Sequence, residues 1–451
     1  VPLFSVPLRA CYSRNVRNLW MGGRCISATH VAIGALRVQQ TLGALGQAVG
    51  IAAAYALSHG LDPAQVADPD GAHIGSVQQR ILDADVRIID VEHRDPADLA
   101  ADAVCTASSQ ARLDFGAPDR ACPQPLDMPR GQIFPVSTDR IDWIEAYLHN
   151  PRDVPVSLYW SLQRADGPWC RTDGKPVAEG EVTLPARHDG PLRCPVDVFV
   201  DPGTVHRFAL APRHDAGERE RALVAAVQWF AATEQPVGTV AQFLHASDGG
   251  LAATTNPVGP YAVDQLDLPP YRHWIQQRTT SLSVAVSPDQ WPYGPANLVN
   301  GRHWPDRWPN LWMSDPDEPG TPYVDMDFGR QVVFTDVVLR FDTNLLSRVA
   351  SAPPLWRPNT CVSDFRLLAR RDPGLPWREI HAETGNTRRV VRVHTGPTVA
   401  QLLRVEVLAN CRPVREPSDD EVRIWGRDEG RVHRPGPRAG ARIYSISVLG
   451  P

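Results

Sequence analysis

From residue 131 onward the chain alternates apolar and polar residues over short stretches, then breaks at proline, glycine or aspartate. "GQIFPVST", "IDWIEAYLHN", "VPVSLYWSLQRA", "GEVTLPA", "RCPVDVFVD" and "VHRFALAP" follow one another in this way. A period of two places every second side chain on one face of a strand. The runs therefore predict half-buried antiparallel strands, and their spacing predicts sheets packed face to face. Proline accounts for 43 of 451 residues, against a usual share of about 5%. It is tolerated at turns and strand edges, where no ladder N–H is required. "YVDMDFG", "QVVFTDVVLRFD", "DFRLLARR", "LLRVEVLA" and "ARIYSISVLG" carry the same texture to the C-terminus, and eight of the 13 tryptophans fall between 274 and 425. "ERERALVAAVQWFAA", 218–232, stays open. Its composition favours a helix, and its place in the series, to which we lean, favours a strand.

The first ninety residues read differently. "NLWMGG", 18–23, is an apolar run stopped by two glycines, the pattern of a buried parallel strand. Helical spacing follows over 37–59, ended by Gly60 with Pro63 beyond it. Gly43, Gly46 and Gly50, with Ala44, Ala48, Ala52, Ala53 and Ala54, leave that helix little side chain. Each glycine costs about 1 kcal/mol against alanine, so close approach to a sheet or ligand is the expected return. A second helix fits 74–85, with Ile74, Val77, Ile81 and Leu82 on one stripe. At roughly 150 residues per domain the length suits three domains. The expected organisation is a segment 1–92, a linker or lead-in 93–130, an accessory β-sandwich 131–275 and a second β-sandwich 276–451. The fold class is thus multidomain and mainly β: a partial α/β segment followed by two β-sandwich, jelly-roll-like domains.

Composition excludes some partners. A net charge of −5 argues against nucleic acid and anionic membrane surfaces. The uncharged run 41–57 is shorter than the ~20 residues needed to span a bilayer and reads as a buried helix, so no membrane span is expected. The cysteines at 11, 25, 105, 122, 170, 194, 361 and 411 include no C-x-x-C or Cys/His cluster, so no metal site is expected. Cys170 with Cys194, or Cys361 with Cys411, would suit strand-bridging disulfides in an exported protein; buried thiols suit a cytosolic one. Both readings stand, and localisation is left unassigned. No signal peptide is visible, and because the sequence starts at Val1 in mid-pattern, its true N-terminus is expected further upstream.

"CYSRNVRNLWMGGRCISATH", 11–30, with "LRV", 36–38, and "GQAVGIAAA", 46–54, resembles the last flavin-binding segment of FAD-dependent oxidoreductases. The resemblance covers residues 1 to about 92 and is to a bacterial branch with a Gly-Arg turn, a following serine and a GQAxGxAAA helix. In that family an N-terminal G-x-G-x-x-G holds the ADP half of FAD. The C-terminal segment closes over the pyrophosphate, ribityl chain and flavin edge. The resemblance therefore implies that this chain carries the flavin-side half and that a missing N-terminal segment or a separate chain supplies the other. It implies that Gly22 and Gly23 let backbone approach the cofactor and that Arg24 meets pyrophosphate or ribityl oxygens. Ser27 lies in the contact loop, and Arg37 and Val38 face the flavin or a substrate anion. Thr41 and Leu42 would present N–H groups at a helix N-terminus, which favours negative charge. The wider superfamily, fumarate reductases included, has an acidic residue where this chain has "GGR", which leaves the ribityl contact open. Simpler readings stand beside these: Arg24 as a structural ion-pair partner, Ser27 as a loop cap, His30 and Gln47 as packed polar residues, Cys25 as an inert thiol.

"ANLVNGRHWPDRWPNLWMSDP", the Asp327–Gly329 turn and the final strand are similar to discoidin-type, galactose-binding-like domains over about 280–451. That resemblance implies a jelly roll that binds carbohydrate through loops at one end or serves as structure alone. Trp304 and Trp308 are the candidate sugar-stacking residues, whereas Trp312 suits a buried strand. The expected function is the C-terminal portion of an FAD-dependent oxidoreductase. The alternative is a non-enzymatic carbohydrate- or surface-binding protein. No general acid or base is legible, since His73, His206, His273 and His303 form no constellation.

Overall fold

The computed structural model describes residues 4–167, 175–247, 250–253, 281–343, 360–411 and 440–451. Its opening segment is helical. Two 3-10 turns, Leu8–Cys11 and Gly23–Cys25, precede α1 (His30–Leu36), α2 (Gln39–His59), α3 (Pro63–Val66) and α4 (Ile74–Asp83). The helix expected over 37–59 is α2, which starts two residues later, and a break at Arg37 and Val38 separates it from the additional helix α1. The strand expected at 18–23 is reduced to one antiparallel bridge between Tyr12 and Trp20. Ladder bonds on both sides make a buried strand, and here only the Cys11–Ser13 stretch runs alongside: Met21 N–H donates to Cys11 O at 2.7 Å and Ser13 N–H to Leu19 O at 2.9 Å.

α2 packs by a helical stripe. Leu45, Val49, Ala52 and Ala56 recur at spacings of four, three and four and are all buried, against Ile26, Val66, Val77 and Ile81. Gly60, at φ 64°, ends it in the left-handed conformation glycine adopts without penalty. α3 opens with a capping box between Asp62 and Gln65 and with Pro63 in its first turn. α4 ends differently. Asp85 N–H donates to Leu82 O at 2.9 Å and Val86 N–H to Ile81 O at 3.1 Å, with Asp85 at φ 59°. This is a Schellman cap with aspartate where glycine is usual.

The middle of the chain builds a sandwich from two antiparallel sheets. Its strands are β2 (Pro118–Pro125), β3 (Arg130–Val136), β4 (Arg140–His149), β5 (Val156–Ala165), β6 (Ala178–Leu184), β7 (Asp189–Phe199) and β8 (Thr204–Ala211). β9 (Gln228–Ala232), β10 (Val240–Ser247), β11 (Gly250–Ala253) and β12 (Val284–Ser287) complete it. One sheet runs β11-β10-β3-β8-β5-β6; the other runs β12-β4-β9-β2 with β7 also on β4. The ambiguous stretch 218–232 resolves as both: α5 (Glu218–Ala225), then β9. Trp229 of β9 is fully buried, edge-on to Phe208 at 6.0 Å, with its indole N–H on Ser283 O at 3.0 Å.

The C-terminal sheet contains β1 (Val104–Ala107), β13 (Trp312–Met313), β14 (Tyr323–Phe341), β15 (Val362–Arg370), β16 (Arg378–Glu383), β17 (Val390–Asn410) and β18 (Arg442–Leu449). Its order is β13-β18-β14-β17-β15-β16, with β1 on β14. Two runs read as separate strands, "YVDMDFG" and "QVVFTDVVLRFD", are one bent strand, β14. Its register with β17 slips between Asp327 and Val332 and again between Phe334 and Asp336. Gly329, at φ 67°, sits in the first slip, its N–H on the Asp327 carboxylate at 2.8 Å. The second slip flips the inward parity: Val324, Met326, Val332 and Phe334 give way to Val337, Leu339 and Phe341 in the same core.

Strand exchange crosses the expected boundaries. Residues 93–130, read as a linker or lead-in, supply β1 to the C-terminal sheet and β2 to the middle sandwich. β12, read as part of the last domain, pairs with β4. The helical segment is tied to the C-terminal sandwich through residues 85–93. His93 N–H donates to Gly301 O at 2.8 Å, Arg307 grips Asp90 at 2.6 and 2.9 Å, and Arg389 grips Asp85 at 2.6 Å. Gly301 is at φ 71°, and a Cβ there would stand 2.8 Å from His93 O. Gly301→Ala is therefore expected to cost about 1–3 kcal/mol through left-handed strain and this clash, read as a lower urea midpoint; an unchanged midpoint would show that the seam yields freely.

Candidate functional site

The residues implicated by sequence lie in and around the Gly23–Cys25 turn and across the break between α1 and α2. Gly22 is extended and Gly23, at φ 65°, begins the turn carrying Arg24. A Cβ at either glycine would meet nothing within 4 Å. Arg24 and Arg37 are exposed, with no ion-pair partner among the described residues. Ser27 is exposed and its N–H donates to Ala10 O at 2.8 Å, so its backbone pins the loop while its hydroxyl remains outside. Arg37 caps the C-terminus of α1, and Val38, the N-cap of α2, offers no side-chain cap. Thr41 precedes the first intrahelical bond of α2, and Leu42 makes it, its N–H donating to Val38 O at 3.0 Å. The Leu42 N–H is therefore used by the helix, and the first-turn amides before it are those a ligand would meet.

The outward face of α2 carries the main surprise. Gly43, Gly46, Gly50, Ala54 and Leu57 recur at helical spacing opposite the buried stripe, and all are exposed. Leu57 is 85% exposed and Val31 of α1 is 87% exposed. The helix expected to be buried is buried on one side only: 22% of its apolar stretch Thr41–His59 is covered, and this stretch is by length and composition sufficient to cross a membrane. A helix face open to water ordinarily carries polar side chains. Gln47, at its edge, donates its amide to Ala84 O at 3.3 Å. His30 is exposed at the start of α1, after Thr29, whose hydroxyl accepts from Ala32 N–H at 3.2 Å as an N-cap. Cys25 is an exposed thiol in the turn.

Trp304 and Trp308 lie elsewhere. Trp304 is half-buried beneath the Arg389 guanidinium, 4.2 Å from its ring centroid. Trp308 is half-buried against Ile133, Ala165 and Val205 of the middle sandwich, its indole N–H on Asn297 Oδ1 at 3.2 Å. Trp312 is fully buried, its N–H on Ser109 O at 3.0 Å. The two candidate stacking rings thus stand in seams between elements.

Those seams hold what the sequence concealed. Arg389 meets Asp85, Phe341 O at 2.8 Å and His303 O, and lies over both Trp304 and Tyr444. Arg340, buried, stands 3.8 Å from the same Asp85. His303 is buried beside His93, and burial, with Arg340, His93 and Arg389 adding repulsion, pushes its pKa down to about 2. His206 on β8 is pushed down to about 4 by burial and Arg164. Among the described residues no group of His, Cys, Asp and Glu could hold a metal ion.

Residues 1–81 match the family described as FAD dependent oxidoreductase. A comparison with curated proteins found no match. Among solved structures the chain is similar to the family 32 carbohydrate-binding module of Streptococcus pneumoniae EndoD, at 16% identity, over 36% of this chain and 88% of that one, with a TM-score of 0.24. It is similar to chitosan-binding module 1 of a Paenibacillus sp. IK-5 chitosanase/glucanase, at 11% identity, over 35% and 86%, TM-score 0.24. It is also similar to the family 32 module of Clostridium perfringens NanJ, at 9% identity, over 35% and 85%, TM-score 0.23.

Proposed function

We propose that the helical segment is the flavin-side half of an FAD site in an FAD-dependent oxidoreductase, and that residues outside this sequence supply the nucleotide-binding half. The observation that carries this reading is the bare outer stripe of α2. A Cβ at Gly43, Gly46 or Gly50 would meet no atom within 4 Å. Alanine would therefore fit at all three in this chain and favour the helix by about 1 kcal/mol each. Close approach by another group would give glycine a reason there, and the family match over 1–81 supports a flavin cofactor as that group. The residues present suit the cofactor. Gly22 and Gly23 admit close backbone approach. The first turn of α2 offers N–H groups to an anionic or electron-rich edge, with Arg24 and Arg37, which have no ion-pair partner among the described residues, adding positive charge. When bound, FAD supplies the hydride chemistry; this chain binds, orients and covers.

The test separates the two roles of glycine. Changing Gly43, Gly46 and Gly50 together to alanine should stabilise the isolated chain by about 2–3 kcal/mol. The same change should lower flavin retention at least about tenfold, or 1.4 kcal/mol, in the protein co-purified with a G-x-G-x-x-G polypeptide encoded upstream. Undiminished flavin in the triple variant would remove the stripe from the site. A stoichiometric flavin on the chain purified alone would remove the need for a second half.

A further inference from the structure

We propose that Cys361 and Cys411 form a cross-strand disulfide when the chain folds in the presence of a disulfide oxidant such as glutathione disulfide. Cys361 stands immediately before β15 and Cys411 immediately after β17. The register Val362↔Asn410, carried one residue outward, sets them opposite each other. Cys411 N–H donates to Cys361 O at 2.7 Å, so the backbones are paired at that position. Both side chains are buried in the same hydrophobic core, where the Cys361 thiol donates to Arg388 O at 3.7 Å and the Cys411 thiol to Asn386 O at 3.1 Å, two carbonyls only two residues apart in the chain. Directly opposed residues of an antiparallel pair have Cα atoms about 4.5–5.5 Å apart, inside the range a disulfide spans without backbone movement. The other described thiols are placed elsewhere: Cys11 and Cys25 in the helical segment, Cys105 on β1 and Cys194 on β7.

The chemistry is thiol–disulfide exchange. One cysteine, as thiolate, attacks a sulfur of glutathione disulfide; a mixed disulfide forms and one glutathione thiolate leaves with the electron pair. The second cysteine, losing its proton, attacks the mixed disulfide and expels the other glutathione. Two thiols thereby lose two protons and two electrons, and one oxidant becomes two molecules of glutathione. The neighbouring thiol and burial hold Cys361 well above the ordinary thiol range, so little thiolate exists once the core has closed. The bridge therefore forms during folding. It closes the loop from 361 to 411, which carries β15, β16 and β17, and so restricts the unfolded chain.

The full chain would be refolded from denaturant in mixed reduced and oxidised glutathione, trapped with iodoacetamide, digested and mapped by mass. The expected result is a linked fragment pair containing Cys361 and Cys411, lighter by two hydrogens than the separate fragments. Its thermal midpoint should lie several degrees above that of the reduced chain. Native reduced chain in the same buffer should form this link more than about tenfold more slowly. Cys411→Ser should abolish the midpoint difference and leave Cys361 open to alkylation. Alkylation of both cysteines after oxidative refolding, or linkage of either to a different cysteine, overturns the proposal, and this wild-type map decides even if Cys411→Ser does not fold.

Discussion

Replacing Arg389 with methionine is expected to destabilise the protein by about 3 kcal/mol, the low end of the range for breaking a buried ion pair, because Arg340 still faces the same carboxylate. The side chain is 12% exposed and faces Asp85 at 13%. Its loss leaves that carboxylate to the longer pair with Arg340 at 3.8 Å. It also removes a donor from the carbonyls of Phe341 and His303 and a cation from the faces of Trp304 and Tyr444. Methionine keeps much of the volume, so the cost is electrostatic and directional rather than a cavity. Denaturant unfolding measures it, and limited proteolysis should show residues 83–93 cut earlier. Arg392→Met is the control. That arginine is 62% exposed and pairs with Asp336 at 3.0 Å, so a change within about 1 kcal/mol is expected. Equal effects from both variants would mean that Arg389 is not the tie between the helical segment and the sandwich.

Lowering the pH from about 6.5 to about 4.5 should destabilise the protein by about 2 kcal/mol for each of His206 and His303. Both are folded as neutral imidazoles, with pKa pushed down to about 4 and about 2, against about 6.5 for the unfolded chain. Below that unfolded value the unfolded state binds protons the native state refuses. Stability is thus complete above about pH 6.5 and falls with pH until the folded pKa is reached. Asp83 is held below the ordinary carboxylate range by its bond to His93, and Asp90 by Arg307. Their contributions are lost only in more acid solution, and Asp98, whose carboxyl burial pushes up, gains stability as the pH falls and so opposes the histidine slope. A urea midpoint flat across that window would remove this account; a slope halved by His206→Asn alone, with His303 intact, would support it.

The β-rich character and most strand positions were legible because period two and turn residues are local signals. So was the helix end at His59, set by Gly60, whereas α4 stops at Asp83, two residues short of the expected 85. The candidate cofactor residues Gly22, Gly23, Arg24, Ser27, Arg37, Val38, Thr41 and Leu42 were legible as residue types in a local pattern, and their role stays a proposal. That Leu42 spends its N–H inside the helix was not, because the break at Arg37 and Val38 moves the start of α2. Trp304 and Trp308 looked like exposed rings only while their neighbours, Arg389 and β3, β5 and β8, were far away in the chain.

By itself the sequence determined the secondary-structure periods, the turn chemistry and the glycine–alanine composition of α2, since each depends on residues within a few positions of one another. Tertiary structure alone decided that β14 runs continuously through two register slips, that β1 and β12 pair across the expected domain limits, and that Asp85 occupies a position made for glycine. The last case shows why. A left-handed cap favours glycine locally, but the carboxylate answers Arg389, more than three hundred residues away, and no local pattern carries the charge of a distant partner.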